Sequence, residues 1–183
     1  SDSPSPVVSP RAPEHIPLWM LGSSADSAVL AAQRGLPYNL GLFINPQADP
    51  RLIGLYKSRF QPSAMQAQPY AILAISVFCA DSQEQALALQ LTYDLNLFRF
   101  FSGQYDGLSL TPQQALAYPL GAREQAFIAS RQDSRAAGTP QLVRARIEEL
   151  AARHAADEIM AVTNMYYFED RKRSFALLKE AFA

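Results

Sequence analysis

The chain has 183 residues, 49% of them hydrophobic and 18% charged, and a formal net charge of −1. This is a globular composition long enough for one domain with its own core, and it offers no electrostatic case for nucleic acid or an anionic membrane. No apolar run approaches the ~20 residues of a membrane span, and the single cysteine, Cys79, excludes an intramolecular disulfide framework and suits a reducing compartment.

Ser1 to Pro13 carries four prolines and few apolar residues beyond Val7 and Val8. A flexible Pro/Ser-rich linker is expected over 1–15, with no apolar core of a signal peptide, so a soluble cytoplasmic protein is the default. The remainder, 16–183, alternates in period. Ile16 to Leu21 is a short apolar run and a candidate buried strand. From Ser24 the pattern turns helical, with Ala25, Ala28, Val29 and Ala32 on one face, and Gly35 and Pro37 stop it. Leu40 to Ile44 reads as the next strand. Asp49-Pro50 supplies an N-cap and a proline at the first helical position, opening a helix to about Phe60.

Tyr70 to Cys79, rich in Ile, Val and aromatics, carries the strongest strand signal. Asp81 with Glu84 has the form of a capping box opening a helix to Phe98 or beyond. Ser102 to Ala122 holds Gly103, Gly107, Pro112, Pro119 and Gly121, so a long excursion is expected with one short helix after Thr111-Pro112. Thr139-Pro140 restarts a helix whose apolar face is Leu142, Val143, Ile147 and Leu150. Glu158 to Val162 is a fourth strand, and Arg173 to Phe182 a closing helix. The order β-α-β-α-β-α-excursion-α-β-α predicts an α/β fold with a parallel sheet and right-handed crossovers. Four strands make either a small open sheet or half of an eight-stranded barrel.

Ligands of parallel α/β folds sit where strands hand over to helices. Gly22-Ser23-Ser24 lies at such a junction, where amide groups at a helix start attract anions and the Ser23, Ser24 and Ser27 hydroxyls add donors. The same residues serve a plain helix start, because Ser23 and Asp26 match a capping box. Both readings stand on spacing alone. The G-x-S-x-G spacing of a hydrolase elbow is absent, since Asp26 stands where its second glycine belongs. His15 and His154, the two histidines, have no metal-ligand spacing, and His154 suits a solvent-facing cation at a helix end. Cys79 fits a small core residue. Arg171-Lys172-Arg173 reads as a solvated face, and Tyr166, Tyr167 and Phe168 as packing residues or as a platform for a planar cofactor.

The segments "IPLWMLGSSADSAVLAAQRGLPYNLGLFINP", "QPYAILAISVFCADSQEQA", "GTPQLVRARIEELAARHAADEIMAVTNMY" and "RKRSFALLKEAF" together resemble the C-terminal half of bacterial luciferase-like flavin monooxygenases. The resemblance runs from Ile16 to Ala183, interrupted by the excursion at 102–122, and is most specific from Leu21 to Pro37. It implies a (β/α)8 barrel cut at its middle: strands five (16–22), six (39–45), seven (70–79) and eight (158–163), with outer helices. It implies reduced FMN and O2 acting on a small organic substrate, with the flavin supplied by a reductase; the deazaflavin F420 serves some branches and is the lesser expectation. By the same resemblance Gly22 lets the backbone approach the flavin phosphate while Ser23, Ser24 and Ser27 cap the helix and hold it.

The family's first four strands have no counterpart here, nor do the residues that flank the flavin ring or an arginine that meets its phosphate. Half a barrel leaves two sheet edges and an apolar inner face to cover. An N-terminal half or a second copy is therefore expected as partner, with this chain inactive by itself. The rival reading is a non-catalytic half-barrel that binds flavin or only assembles with itself.

Overall fold

The computed structural model describes residues 16–183; the expected 1–15 linker and His15 lie outside the described residues. The elements in chain order are β1 (Met20–Gly22), α1 (Ala25–Gln33), β2 (Tyr38–Gly41), α2 (Leu52–Arg59), β3 (Ala71–Cys79), α3 (Gln83–Phe101), α4 (Pro112–Leu116), α5 (Ala122–Ala129), β4 (Arg135–Gly138), α6 (Pro140–His154), β5 (Glu158–Val162) and α7 (Phe168–Ala181). Every strand pairing is parallel, as the alternating pattern requires.

The sheet has five strands, where the sequence pattern indicates four. Ile72 pairs with Asn39 and Glu158, and Ser76 with Arg135 and Val162. Hence β5 runs along one edge of β3, while β2 and then β4 share the other, β4 taking the stretch that β2 leaves open. The short β4 sequence, RAAG, contains no β-branched residue, so nothing local marks it as a strand.

Three boundaries differ for local reasons. β2 ends at Gly41 and not at 45, because the Ile44 and Asn45 amides turn back onto the Gly41 carbonyl. β1 begins only at Met20, where the ladder starts with Met20 N donating to Pro37 O; Ile16, Leu18 and Trp19 are exposed. α7 starts at Phe168, five residues before the expected Arg173.

Side chains alternate across the sheet. Tyr38, Leu40, Leu73, Ile75, Val77 and Ala136 bury one face against α1, α2, α6 and α7. Phe78 points the other way and packs with Ala86 and Leu89 of α3 and with Met165. α3 therefore crosses the opposite face near the carboxyl ends of the strands, a departure from uniformly outer helices. On that opposite face Leu21, Asn39, Ile72 and Glu158 share a row. Leu21 and, one row on, Met160 are about half exposed there.

Candidate functional site

At the carboxyl end of β1 the chain turns through Ser23 and Ser24 into α1. Ser24, extended at φ −131° and ψ 164°, is the N-cap: its Oγ accepts from the Ser27 amide at 3.3 Å, and the Ser27 Oγ accepts from the Ser24 amide at 3.3 Å. The reciprocal cap is thus Ser24/Ser27, one residue beyond the expected Ser23/Asp26 pair. Two short hydroxyls close it because Ser27 sits directly over Gly22, where a Cβ would overlap the Ser27 side chain. Ser27 also donates to the Ser24 carbonyl at 2.8 Å and stands 3.3 Å from the Tyr38 hydroxyl.

Among the described residues, the amides of Ser23, Ala25 and Asp26 donate to no protein acceptor. They lie at the positive end of the α1 dipole, with the exposed Ser24 hydroxyl beside them. The Asp26 carboxylate takes no part in the cap. Asn45 Nδ2, in the loop after β2, reaches the Ser23 carbonyl at 3.5 Å. The arrangement presents free N–H donors to an anion, with the peptide behind them tethered from a neighbouring loop.

A buried ionic cluster supports the same end of the sheet. Asp94 of α3, fully buried, accepts from Arg135 of β4 at 2.6 Å and lies 4.0 Å from Arg131. Arg131 donates to the Phe43 carbonyl at 3.0 Å, and Arg135 to the Ile128 carbonyl at 3.2 Å. α3, α5, β4 and the β2–α2 loop are so tied to one carboxylate. The partners lie far apart in sequence, and no spacing rule finds them.

Other expected residues fall as follows. Cys79 is buried as a small core residue, its amide donating to Ser174 Oγ at 3.1 Å. His154 does not face solvent as expected: it is 4% exposed, and among the described residues its Nδ1 has no hydrogen-bond partner. Burial pushes its pKa down, Arg153 adds to the effect, and Asp49 opposes it. It lines a cavity of about 620 Å³ between α2 and the end of α6, with Asp49, Arg51 and Arg153 around it. Arg173 pairs with Asp81 at 2.5 Å and Lys172 with Glu169 at 2.8 Å, inside α7 and not at its start. With Asp81 engaged, Ser82 caps α3 instead of the expected Asp81/Glu84 box, its Oγ accepting from Gln85. In α2 the N-cap is Arg51, with Asp49 bonding its amide from outside the helix. Thr139 is the N-cap of α6 as expected. Tyr166 and Tyr167, with rings 4.9 Å apart and nearly perpendicular, stand exposed beyond β5.

The family described as luciferase-like monooxygenase matches residues 2–161. The Bacillus subtilis (strain 168) protein YwcH is 36% identical over 167 residues, 91% of this chain and 50% of its own length. A luciferase-like monooxygenase of Escherichia coli (strain K12) is 32% identical over 164 residues, 90% of this chain and 49% of its own. The crystal structure of apo-MsnO8 is similar at 34% identity and a TM-score of 0.83, over 96% of this chain and 53% of that one. An FMN complex of the oxygenating constituent of 3,6-diketocamphane monooxygenase from Pseudomonas putida shares the fold at 20% identity and a TM-score of 0.54, over 88% of this chain and 45% of its own. The chain spans about half the length of the relatives it matches.

Proposed function

We propose, from the premise that the chain belongs to the luciferase-like monooxygenase family, that it forms the C-terminal half of a barrel oxygenating a small organic substrate with reduced FMN and O2. The observation that carries the reading is the turn Gly22 to Ser27. Its unengaged Ser23, Ala25 and Asp26 amides converge at a helix start, on the end of the sheet where parallel folds bind ligands.

The residues present fit a flavin phosphate. The amides donate to its oxygens, and the Ser24 hydroxyl adds a donor by giving up its long 3.4 Å bond to Ser27 Oγ. Gly22 admits the Ser27 side chain that keeps the turn tight, and Asn45 steadies the Ser23 peptide. Ser27, with its hydroxyl engaged by Ser24, serves by shaping the cradle. When bound, the flavin supplies the oxygen-activating redox chemistry; this chain's part is to seat and orient the cofactor. A separate reductase delivers it reduced, and an N-terminal half or a second copy covers the sheet edges.

The test uses a chimera in which this chain replaces the matching half of the Escherichia coli relative. Ser24→Ala with Ser27→Ala should weaken FMN binding about threefold to tenfold per lost hydrogen bond, while stability falls by only ~1 kcal/mol for a lost cap. Unchanged FMN affinity with the same stability loss would assign the turn to helix capping alone. The rival non-catalytic reading draws on the half-exposed Leu21 and Met160 of the open sheet face. A chimera without flavin turnover, beside a discrete self-assembly of the unfused chain, would favour it.

A further inference from the structure

A second concavity opens at the same end of the sheet. β5 ends at Val162 and β1 at Gly22 in an all-parallel sheet, so the residues following each strand emerge together. Just past β5 lies a cavity of about 170 Å³, lined by Thr92, Tyr93, Asn96, Ser109, Asn164 and Tyr166 over Met165. No residue of this lining carries a charge.

The walls are built by specific bonds. Asn96 Nδ2 donates to the Thr92 carbonyl at 2.9 Å and to the Leu110 carbonyl at 3.0 Å, and its Oδ1 accepts from the Leu110 amide at 2.6 Å. Asn96 is therefore spent on pinning the 108–110 strap to α3. Arg99 holds the other end of the strap through the Leu108 carbonyl and the Asp106 carboxylate, both at 3.0 Å, so these two charges satisfy each other away from the cavity. Thr92 gives its proton to the Ala88 carbonyl at 2.8 Å and keeps lone pairs to accept with. The Tyr93 ring is set 5.5 Å from the buried Phe78 ring.

Among the described residues, the Tyr93, Ser109 and Asn164 side chains have no hydrogen-bond partner in the protein. Each can donate and accept, and each is neutral. A carboxylate or sulfonate placed among them meets only neutral side-chain donors and no cation of the lining, whereas a neutral carbonyl, amide or hydroxyl exchanges the water at these partly exposed groups for equivalent partners. The volume lies below the ~300 Å³ at which sites for drug-sized ligands begin.

We propose that this cavity seats the organic substrate and that the substrate is uncharged: a small apolar body bearing one carbonyl, amide or hydroxyl group. The inference rests on the oxygenase reading above, for which it supplies the substrate class. Benzamide and benzoate, nearly the same shape and different in charge, are the probes.

In NMR titrations of this chain, benzamide should produce saturable shifts at Tyr93, Asn164 and the Met165 methyl, and benzoate at equal concentration should not. Tyr93→Phe with Asn164→Ala should weaken benzamide about fivefold or more while the rest of the spectrum stays in place. Asn164→Arg, at an exposed position, should turn the preference toward benzoate. Equal binding of benzoate by the unaltered chain, saturable benzamide shifts mapping elsewhere, or no saturable shifts at these residues would overturn the proposal. Flavin affinity of the chimera is read separately. Flavin affinity left unchanged by Ser24→Ala with Ser27→Ala, with benzamide selectivity retained, sinks the flavin reading; weakened flavin affinity without benzamide selectivity sinks only the substrate class.

Discussion

Gly22 and His154 show how single atoms set local demands. A Cβ at Gly22 would overlap Ser27, whose side chain closes the α1 cap. Gly22→Ala should therefore lower stability by about 1–3 kcal/mol, the usual penalty of overpacking, read as a fall in the urea midpoint at unchanged slope. His154 sits at the C-terminal end of α6, where a cation suits the dipole, yet burial with an unpartnered Nδ1 dominates and lowers its pKa below the ordinary 6.5. The folded state binds its proton less readily than the unfolded state does. The stabilising contribution is therefore complete above the unfolded pKa and is lost as pH falls through the folded value. Urea midpoints should drop from about pH 7.5 to about pH 5.5, and His154→Leu should flatten that slope. An unchanged slope would place the acid sensitivity elsewhere.

At the scale of elements, the Asp94 cluster decides how the excursion returns to the sheet. α4 and α5 have little buried apolar surface, Ala115 being the one core residue between them. Besides the ring contacts of Phe127 with Phe98 and Phe101, α5 is attached by polar bonds from Arg135 and through the Asp94 cluster. Asp94→Ala leaves two guanidinium groups without their carboxylate and should cost about 3–5 kcal/mol, measured by denaturant unfolding. The loss should be accompanied by faster amide exchange in α5 and β4, which the cluster connects. Exchange confined to α3 would argue against that linkage. Helix starts obey the same local competition for partners: Ser82 caps α3 because Asp81 is held by Arg173 across 92 residues of sequence.

For the whole molecule, the consequential feature is a parallel sheet in which, among the described residues, β1, β4 and β5 each pair with one strand only. Beside the free edge of β5 stands Glu158, an acidic residue on a row otherwise made of Leu21, Asn39 and Ile72, and it accepts from the Tyr70 hydroxyl at 2.6 Å. A charge at such an edge discourages indiscriminate pairing, but the half-exposed Met160 next to it favours association. The chain by itself should therefore show concentration-dependent association in sedimentation velocity. Met160→Lys should reduce it without lowering the urea midpoint. Association unaffected by that change would locate the sticky surface elsewhere, for instance at the exposed Phe100 and Phe101 at the end of α3 and Leu108 of the excursion. No described helix is long and apolar enough to cross a membrane.

The amino-acid order by itself determined the alternation of strands and helices, the parallel sheet, and the helix starts at Thr111 and Thr139. Each is written in residues within a turn or two of one another, through periodicity, prolines and small capping side chains. It also carried the family resemblance and directed attention to Gly22, Ser23, Ser24 and Ser27. It missed the choice of Ser24 over Ser23 as cap, because that depends on where Ser27 lands above Gly22. β4 is not legible locally, since RAAG becomes a strand only by filling the edge of β3 beyond β2. The burial of His154, the Asp94 cluster and the neutral cavity between α3, the strap and the end of β5 were decided by tertiary structure alone. Each brings together residues tens of positions apart, and the energy that fixes them resides in contacts that exist only once the chain has folded.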